Sequence, residues 1–239
     1  MKPIKRVSDS VVRAFKMRLC HISDTHGSWP ALSGAHDIVV HSGDFLPDSN
    51  QYYLVANKTL EMAYQLDWLN KNLNSMSHWL KGRTFLFTCG NHDFLHGEMI
   101  ESVLGSAGIK AICLNDKVVT YEGVNFYGFP YVPAINGLFN YEKQLDGMQV
   151  EVDKLVEVLN QTYVDVLVAH APPYQILDLT RSNEVIGNQP MADAFKLKIK
   201  PEMRPMHYLC GHVHESNGLR LSDGTLFSNA ATTKHIIEV

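Results

Sequence analysis

The sequence predicts an α/β fold, and two observations carry that reading. Short apolar runs alternate with helical patterns through the early chain, as parallel βαβ units do. Glu122-Gly123 and Asp223-Gly224 each separate two strand-like runs and read as hairpin turns, which add antiparallel strands. No repeat, low-complexity tract or long linker interrupts the pattern, so residues 17–239 read as one domain.

The elements follow in order. Residues 1–16 form a basic N-terminal leader: Lys2, Lys5, Arg6, Arg13 and Lys16 face the single acid Asp9, with no apolar stretch of a secretory signal. Val7, Val11, Val12 and Phe15 could form one face of a short helix starting near Ser8 that touches a membrane or partner; the bland alternative is a surface leader. Strands are predicted at Arg18–Ser23, Asp37–His41, Thr84–Thr88, Val118–Tyr121, Val124–Tyr127, Val164–Ala169, Met206–Cys210, Leu219–Leu221 and Thr225–Ser228. Helices are predicted at Tyr52–Leu80, with a break, and at Glu98–Leu104, Met148–Asn160 and Met191–Ile199. In the third, Val152, Leu155, Val156 and Leu159 share one face at helical spacing.

Composition excludes some functions. A formal charge of −4 argues against a protein that chiefly grips nucleic acid. No apolar run approaches the length of about 18 residues needed to span a bilayer. Cys20, Cys89, Cys113 and Cys210 are far apart without CxxC spacing, so a reduced, cytoplasmic chain is expected.

Five apolar runs end alike. "LCHISDTH" ends on Asp24 and His26, "IVVHSGD" on Asp44, and "FLFTCGNHD" on Asn91, His92 and Asp93. "VLVAH" ends on His170, and "HYLCGHVH" on His212 and His214. Ligand sites in α/β sheets lie beyond the carboxyl ends of strands, so these ends point to one shared site. Side chains two apart in an extended chain point the same way, which would let Asp24 and His26, or His212 and His214, reach one ion together. Gly43, Gly90 and Gly211, just before ligand candidates, are expected to let the backbone turn sharply. Mixed oxygen and imidazole donors suit Mn, Fe, Zn, Co or Ni. Seven donors exceed one tetrahedral ion and suit two divalent ions sharing a carboxylate, about 3.5–4 Å apart.

In this order, DxH, GD, GNHD, a lone strand-end His and GHxH resemble the calcineurin-like metallophosphoesterase superfamily. The segments "SDTH", "VVHSGDF", "GNHDF", "VAHAPP", "CGHVHESNG" and "SNAA" look most like the small MPPED-type phosphodiesterases. The resemblance implies a four-layer αββα sandwich with two mixed sheets and a dinuclear site at the strand ends. It implies that Asp24, His26 and His214 hold one metal and Asn91, His170 and His212 the other, with Asp44 bridging and manganese favoured. It makes His92 the acid or phosphate donor, oriented by Asp93, while a metal-bridging hydroxide attacks the phosphorus. The implied function is a phosphodiesterase for small organic phosphates such as cyclic nucleotides. The alternatives are a phosphomonoesterase or nucleotidase, a protein phosphatase, or a non-enzymatic scaffold of this fold. Pro47 stands where protein phosphatases of the superfamily carry an acid, and Asp93 where they carry Glu, which puts protein phosphatase activity in doubt.

The remaining polar residues carry weaker expectations. Asp48 reads as a solvated loop carboxylate, and Arg181 as a surface residue. His21 and His41 read as hydrogen-bonded core residues near the site, and His36, His78, His96 and His235 as exposed or loop residues. Cys89 and Cys210 read as packing, and Asn229 as either a turn or a site-rim residue.

Overall fold

A computed structural model describes residues 17–32, 34–49 and 57–239. The expected leader and the start of the predicted Tyr52–Leu80 helix lie outside the described residues.

Two sheets form the centre. The first contains β1 (Arg18–Ile22), β2 (Ile38–His41), β3 (Thr84–Phe87), β4 (Ala111–Cys113) and β13 (Lys234–Glu238), in the order β13-β1-β2-β3-β4. β1 to β4 run parallel, and β13 pairs antiparallel with β1. The second contains β5 (Val118–Tyr121), β6 (Val124–Phe129), β9 (Val166–Ala169), β10 (His207–Cys210), β11 (Gly218–Ser222) and β12 (Thr225–Asn229), ordered β11-β12-β10-β9-β6-β5. Its four inner strands are parallel and its two edge strands antiparallel. A two-stranded ribbon of β7 (Val132–Pro133) and β8 (Glu142–Lys143) stands apart.

Strand alternation explains the layering. Leu19, Val40 and Leu86 of the first sheet meet Phe126, Val168 and Leu209 of the second between the sheets. Their neighbours Cys20, Val39, Phe85 and Phe87 face outward onto α1 (Lys58–Leu80) and α2 (Gly97–Ser106) through Leu69, Met76, Ile100 and Leu104. On the other side, Leu167, Tyr208 and Phe227 pack under α3 (Leu145–Gln161) and α4 (Gln189–Asp193). Both strand faces are therefore buried, which is why β2, β3, β9 and β10 are apolar or nearly so without a polar face. The result is the αββα sandwich. Among the described residues, no helix is long and apolar enough to cross a membrane.

Both expected hairpin turns form, with Glu122 and Gly123 at φ 47° and 80° and Asp223 and Gly224 at φ 48° and 83°. The stripe on α3 also forms: Val152, Leu155 and Leu159 are buried and Val156 packs beside them. Other expectations fail. α1 is unbroken from Lys58, started by the Asn57 side chain and stopped by Lys81 at φ 52°. The predicted Met191–Ile199 helix divides into α4 and a π-helical turn at Ala194–Lys198. β4, β7, β8 and β13 are additional strands; β13 carries His235, half-buried in a strand and not in a loop.

Candidate metal centre

The parallel registers bring the strand ends together. β1, β2 and β3 lie side by side, so the chains after them deliver Asp24, Asp44 and Asn91 to one edge. β9 and β10 are neighbours in the second sheet and deliver His170, His212 and His214. Backbone bonds lock adjacent exits: Asp24 N–H donates to the Gly43 carbonyl at 2.9 Å, and Gly211 N–H to the His170 carbonyl at 2.9 Å.

The local geometry differs from the extended backbone expected. Asp24, His26, Asp44 and His212 have φ of 53°, 42°, 58° and 67°. The exits of β1, β2 and β10 are thus left-handed turns, an uncommon and costly backbone for side-chain-bearing residues that is found at functional sites. Gly43 does supply rotation, at φ 112°. Gly211 instead supplies room, because a Cβ there would meet Ser23 Oγ at 1.9 Å and Asp24 Oδ2 at 2.1 Å. Gly211→Ala should therefore displace Asp24 and lower activity and bound metal at least about tenfold, as read by elemental analysis and turnover. Full metal content in that variant would show that the loop yields freely.

Donor atoms of Asp24, His26 and His214 converge within 4.8 Å of one another, as do those of Asp24, Asp44 and His170. His214 Nε2 lies 3.2 Å from Asp24 Oδ1, and His26 Nε2 lies 3.9 Å from Asp44 Oδ2. His170 Nε2 lies 3.1 Å from Asp44 Oδ2 and 3.0 Å from Asn91 Oδ1. The rings of His170 and His212 are 5.1 Å apart.

These contacts ask for positive charge. His170 Nδ1 faces the Ser42 carbonyl at 2.9 Å, and a carbonyl only accepts, so Nδ1 carries a proton. A neutral ring would then aim its Nε2 lone pair at two oxygens. Burial opposes charging His170, but the Asp44 carboxylate outweighs it and lifts the pKa to about 9. Burial likewise works against the Asp24 and Asp44 carboxylates, yet the surrounding histidines hold both below the usual range. Asn91 Nδ2 and His26 Nδ1 are buried without hydrogen-bond partners. Ionised carboxylates, imidazole nitrogens and an amide oxygen converging in a buried space fit divalent transition cations.

His92 stands at the mouth of this cluster. Its N–H donates to Asp44 Oδ1 at 2.8 Å and its carbonyl accepts from Gln65 Nε2 at 2.7 Å. Its ring lies 4.4 Å from that of Phe139. The residue that orients it is Asp48 and not Asp93: the Asp48 carboxylate is 2.8 Å from His92 Nδ1 and 3.6 Å from His26 Nδ1. Asp48 is thus no merely solvated loop acid. Asp93 is buried and points away, accepting N–H bonds from Asp44, Phe45, Leu46 and Gly90 at 2.8–3.3 Å. It clamps the exit of β2 to that of β3. Sequence reasoning missed Phe139 and Gln65, which carry no motif; a glutamine on the buried face of a long helix was the available signal.

The family model described as calcineurin-like phosphoesterase matches residues 17–216. The chain belongs to the calcineurin-like phosphoesterase family. It is 28% identical to UPF0046 protein K07C11.7 of Caenorhabditis elegans, covering 90% of this chain and 69% of that protein. It is 24% identical to metallophosphoesterase domain-containing protein 1 of Homo sapiens, covering 90% of this chain and 65% of that protein. A crystal structure at 14% identity superposes with a TM-score of 0.68 over 94% of this chain and 95% of the other, a likeness of fold. Membership in the calcineurin-like phosphoesterase family supports a metal-dependent phosphoester hydrolase.

Around the calcineurin-like site, neighbouring polar groups are tied to the ligand loops. His41 accepts the Gly43 N–H at Nδ1, so its proton sits on Nε2, 2.9 Å from Thr25 Oγ1. Burial holds its pKa down to about 3, and the ring stays neutral. His21 joins Ser42 and Ser228, and Ser228 joins His235, linking the two sheets. Asn229 braces the last ligand loop, donating to the Val213 and Leu177 carbonyls at 3.0 Å. Cys89 and Cys210 are buried thiols whose pKa burial pushes well up, as packing residues require. Arg181 is exposed and lies 3.6 Å from Glu215.

Proposed function

We propose that this chain is a two-metal phosphodiesterase acting on small organic phosphates, with cyclic nucleotides among its substrates. The observation that carries this reading is the convergence of donor atoms of Asp24, His26, Asp44, His170 and His214, with Asn91 and His212 against His170, beside the Asp48–His92 pair. In this reading Asp24, His26 and His214 would hold one cation, Asn91, His170 and His212 the other, and Asp44 would serve both. Two divalent ions there, manganese favoured, would neutralise phosphate charge and lower the pKa of water.

The protein groups have separate tasks. His92 gives a proton to the departing ester oxygen. Asp48 holds the ring through Nδ1, leaving Nε2 for the substrate. Phe139 packs on the ring and limits its tilt.

The charge of the cleft favours diesters. Its described lining contains His26, Asp44, Asp48, Asn91, His92, Ile135, His212, His214 and Glu215, with no Lys or Arg. A monoester dianion needs more cationic help than a diester monoanion, and this lining offers no Lys or Arg to supply it. The free, buried cysteines fit a reducing compartment, and the cytoplasm is the setting we assign.

With Mn²⁺ present, kcat/KM on bis(p-nitrophenyl) phosphate should exceed that on p-nitrophenyl phosphate at least about tenfold, a difference of about 1.4 kcal/mol in barrier. Robust monoester turnover with no diester turnover would overturn the diesterase reading. A parallel screen of cyclic and linear nucleotides would then name the substrate.

A further inference from the structure

A second cavity lies on the helix-covered face of the six-stranded sheet, and none of its lining residues is a candidate metal ligand. It encloses about 130 Å³ between the chain after β9, the end of α4 with its π-helical turn, and the β11–β12 hairpin. Its inner wall is apolar. Phe195 and Phe227 are buried with ring centroids 6.0 Å apart, and Ala192 and Ile176 complete the wall.

The polar part of the lining is unbalanced. Lys196, Arg204 and Arg220 contribute three cations, and Asp223 is the one acid. None of the three cations forms an ion pair among the described residues. Arg204 Nε is buried without a hydrogen-bond partner. Arg220 uses one N–H on the Gln175 carbonyl at 2.9 Å, which aims the rest of its fork. A buried guanidinium donor left unpaired is costly, and the groups that satisfy it best are planar or tetrahedral oxyanions. An apolar wall with a few convergent polar groups is also the usual make-up of a small-molecule site.

We infer that this cavity binds a small organic anion whose apolar body lies against Phe195 and Phe227 and whose oxyanion is held by Arg204 and Arg220. The space suits a ring or short chain bearing one carboxylate or phosphate. The site is independent of the metal centre and of the phosphoesterase reading.

The test is methyl NMR of the metal-loaded full chain titrated with benzoate, phenyl phosphate, inorganic phosphate and benzyl alcohol. Benzoate or phenyl phosphate at millimolar concentration should shift the Ile176 and Ala192 methyls saturably. Whichever binds tighter tells a carboxylate ligand from a phosphate. Benzyl alcohol and inorganic phosphate should each bind at least about tenfold more weakly, lacking the charge or the apolar body. Arg204→Met and Arg220→Met should each weaken the better anion at least about tenfold. Arg220 is exposed, so its variant carries the test if Arg204→Met fails to fold. Shifts confined to Ile135 would place the anion in the metal cleft and overturn the proposal. Equal binding of benzyl alcohol, or unchanged affinity in the folded arginine variants, would overturn it too. Because the readout is binding at Ile176 and Ala192, it stands or falls whether or not the chain hydrolyses phosphodiesters.

Discussion

Asp44→Asn lowers kcat/KM on bis(p-nitrophenyl) phosphate by about a thousandfold and strips the protein of at least one metal ion; this is the largest expected effect. Asp44 is 2% exposed and lies between the two groups of donors. One carboxylate oxygen faces His170 and His26, and the other accepts the His92 N–H. Asparagine keeps the shape and can keep the His92 bond, but it removes the charge that both groups share. Stability should fall in chelator as well. Without cations the Asp44 carboxylate is the counter-charge of buried His170, so metal-free Asp44→Asn should melt below metal-free wild type. Metal then widens the difference. At a concentration about a hundredfold above Kd, an ion stabilises the wild type by about 2.7 kcal/mol, a gain the variant forfeits. Melting curves with and without Mn²⁺ check this. A wild type that binds no transition metal, with a variant that matches it on every phosphoester, would favour a non-enzymatic scaffold.

Much of this was readable in the sequence, for physical reasons specific to each element. A strand buried on both faces must be an apolar run, so β1, β2, β3, β9 and β10 stand out, and the polar residues at their ends stand out with them. The Glu-Gly and Asp-Gly turns were legible because two successive positive φ angles demand such residues. β13 was not legible: it is a sheet-edge strand with one buried residue, Ile237, and no alternation. The left-handed exits at Asp24, His26 and His212 were hidden because residue type does not announce the sign of φ there. The task expected of Asp93 falls instead to Asp48 for a related reason. Adjacency to His92 suggested Asp93, but its neighbouring position turns its carboxylate toward main-chain N–H groups. The partner of the His92 ring lies 44 residues earlier, where only the folded loop brings it near.

That reassignment gives the second large prediction. His92→Ala should lower kcat by about a hundredfold to a thousandfold and leave metal content unchanged, because His92 lends the cluster no donor in the proposed assignment. Asn91→Ala should instead weaken metal binding, so equal metal loss in both would refute the assignment of this corner. Asp48→Asn tests how His92 is tuned. Burial alone would lower the His92 pKa, but the Asp48 hydrogen bond and the Asp44 and Asp48 charges lift it to about 9. A raised pKa keeps the ring in its acid form at neutral pH and lets activity fall only as pH rises through that value. Cations bound nearby repel the extra charge and shift the limb downward, and losing Asp48 shifts it further in the same direction. Asp48→Asn should therefore move the alkaline limb of kcat to lower pH as well as reduce its height. A merely structural carboxylate would not move the limb. If Asp48 works through His92, removing it from the His92→Ala protein should cost little more, since coupled residues are not additive. An equal loss in both backgrounds would mean that Asp48 serves His26, 3.6 Å away, and would separate the two duties this carboxylate can hold.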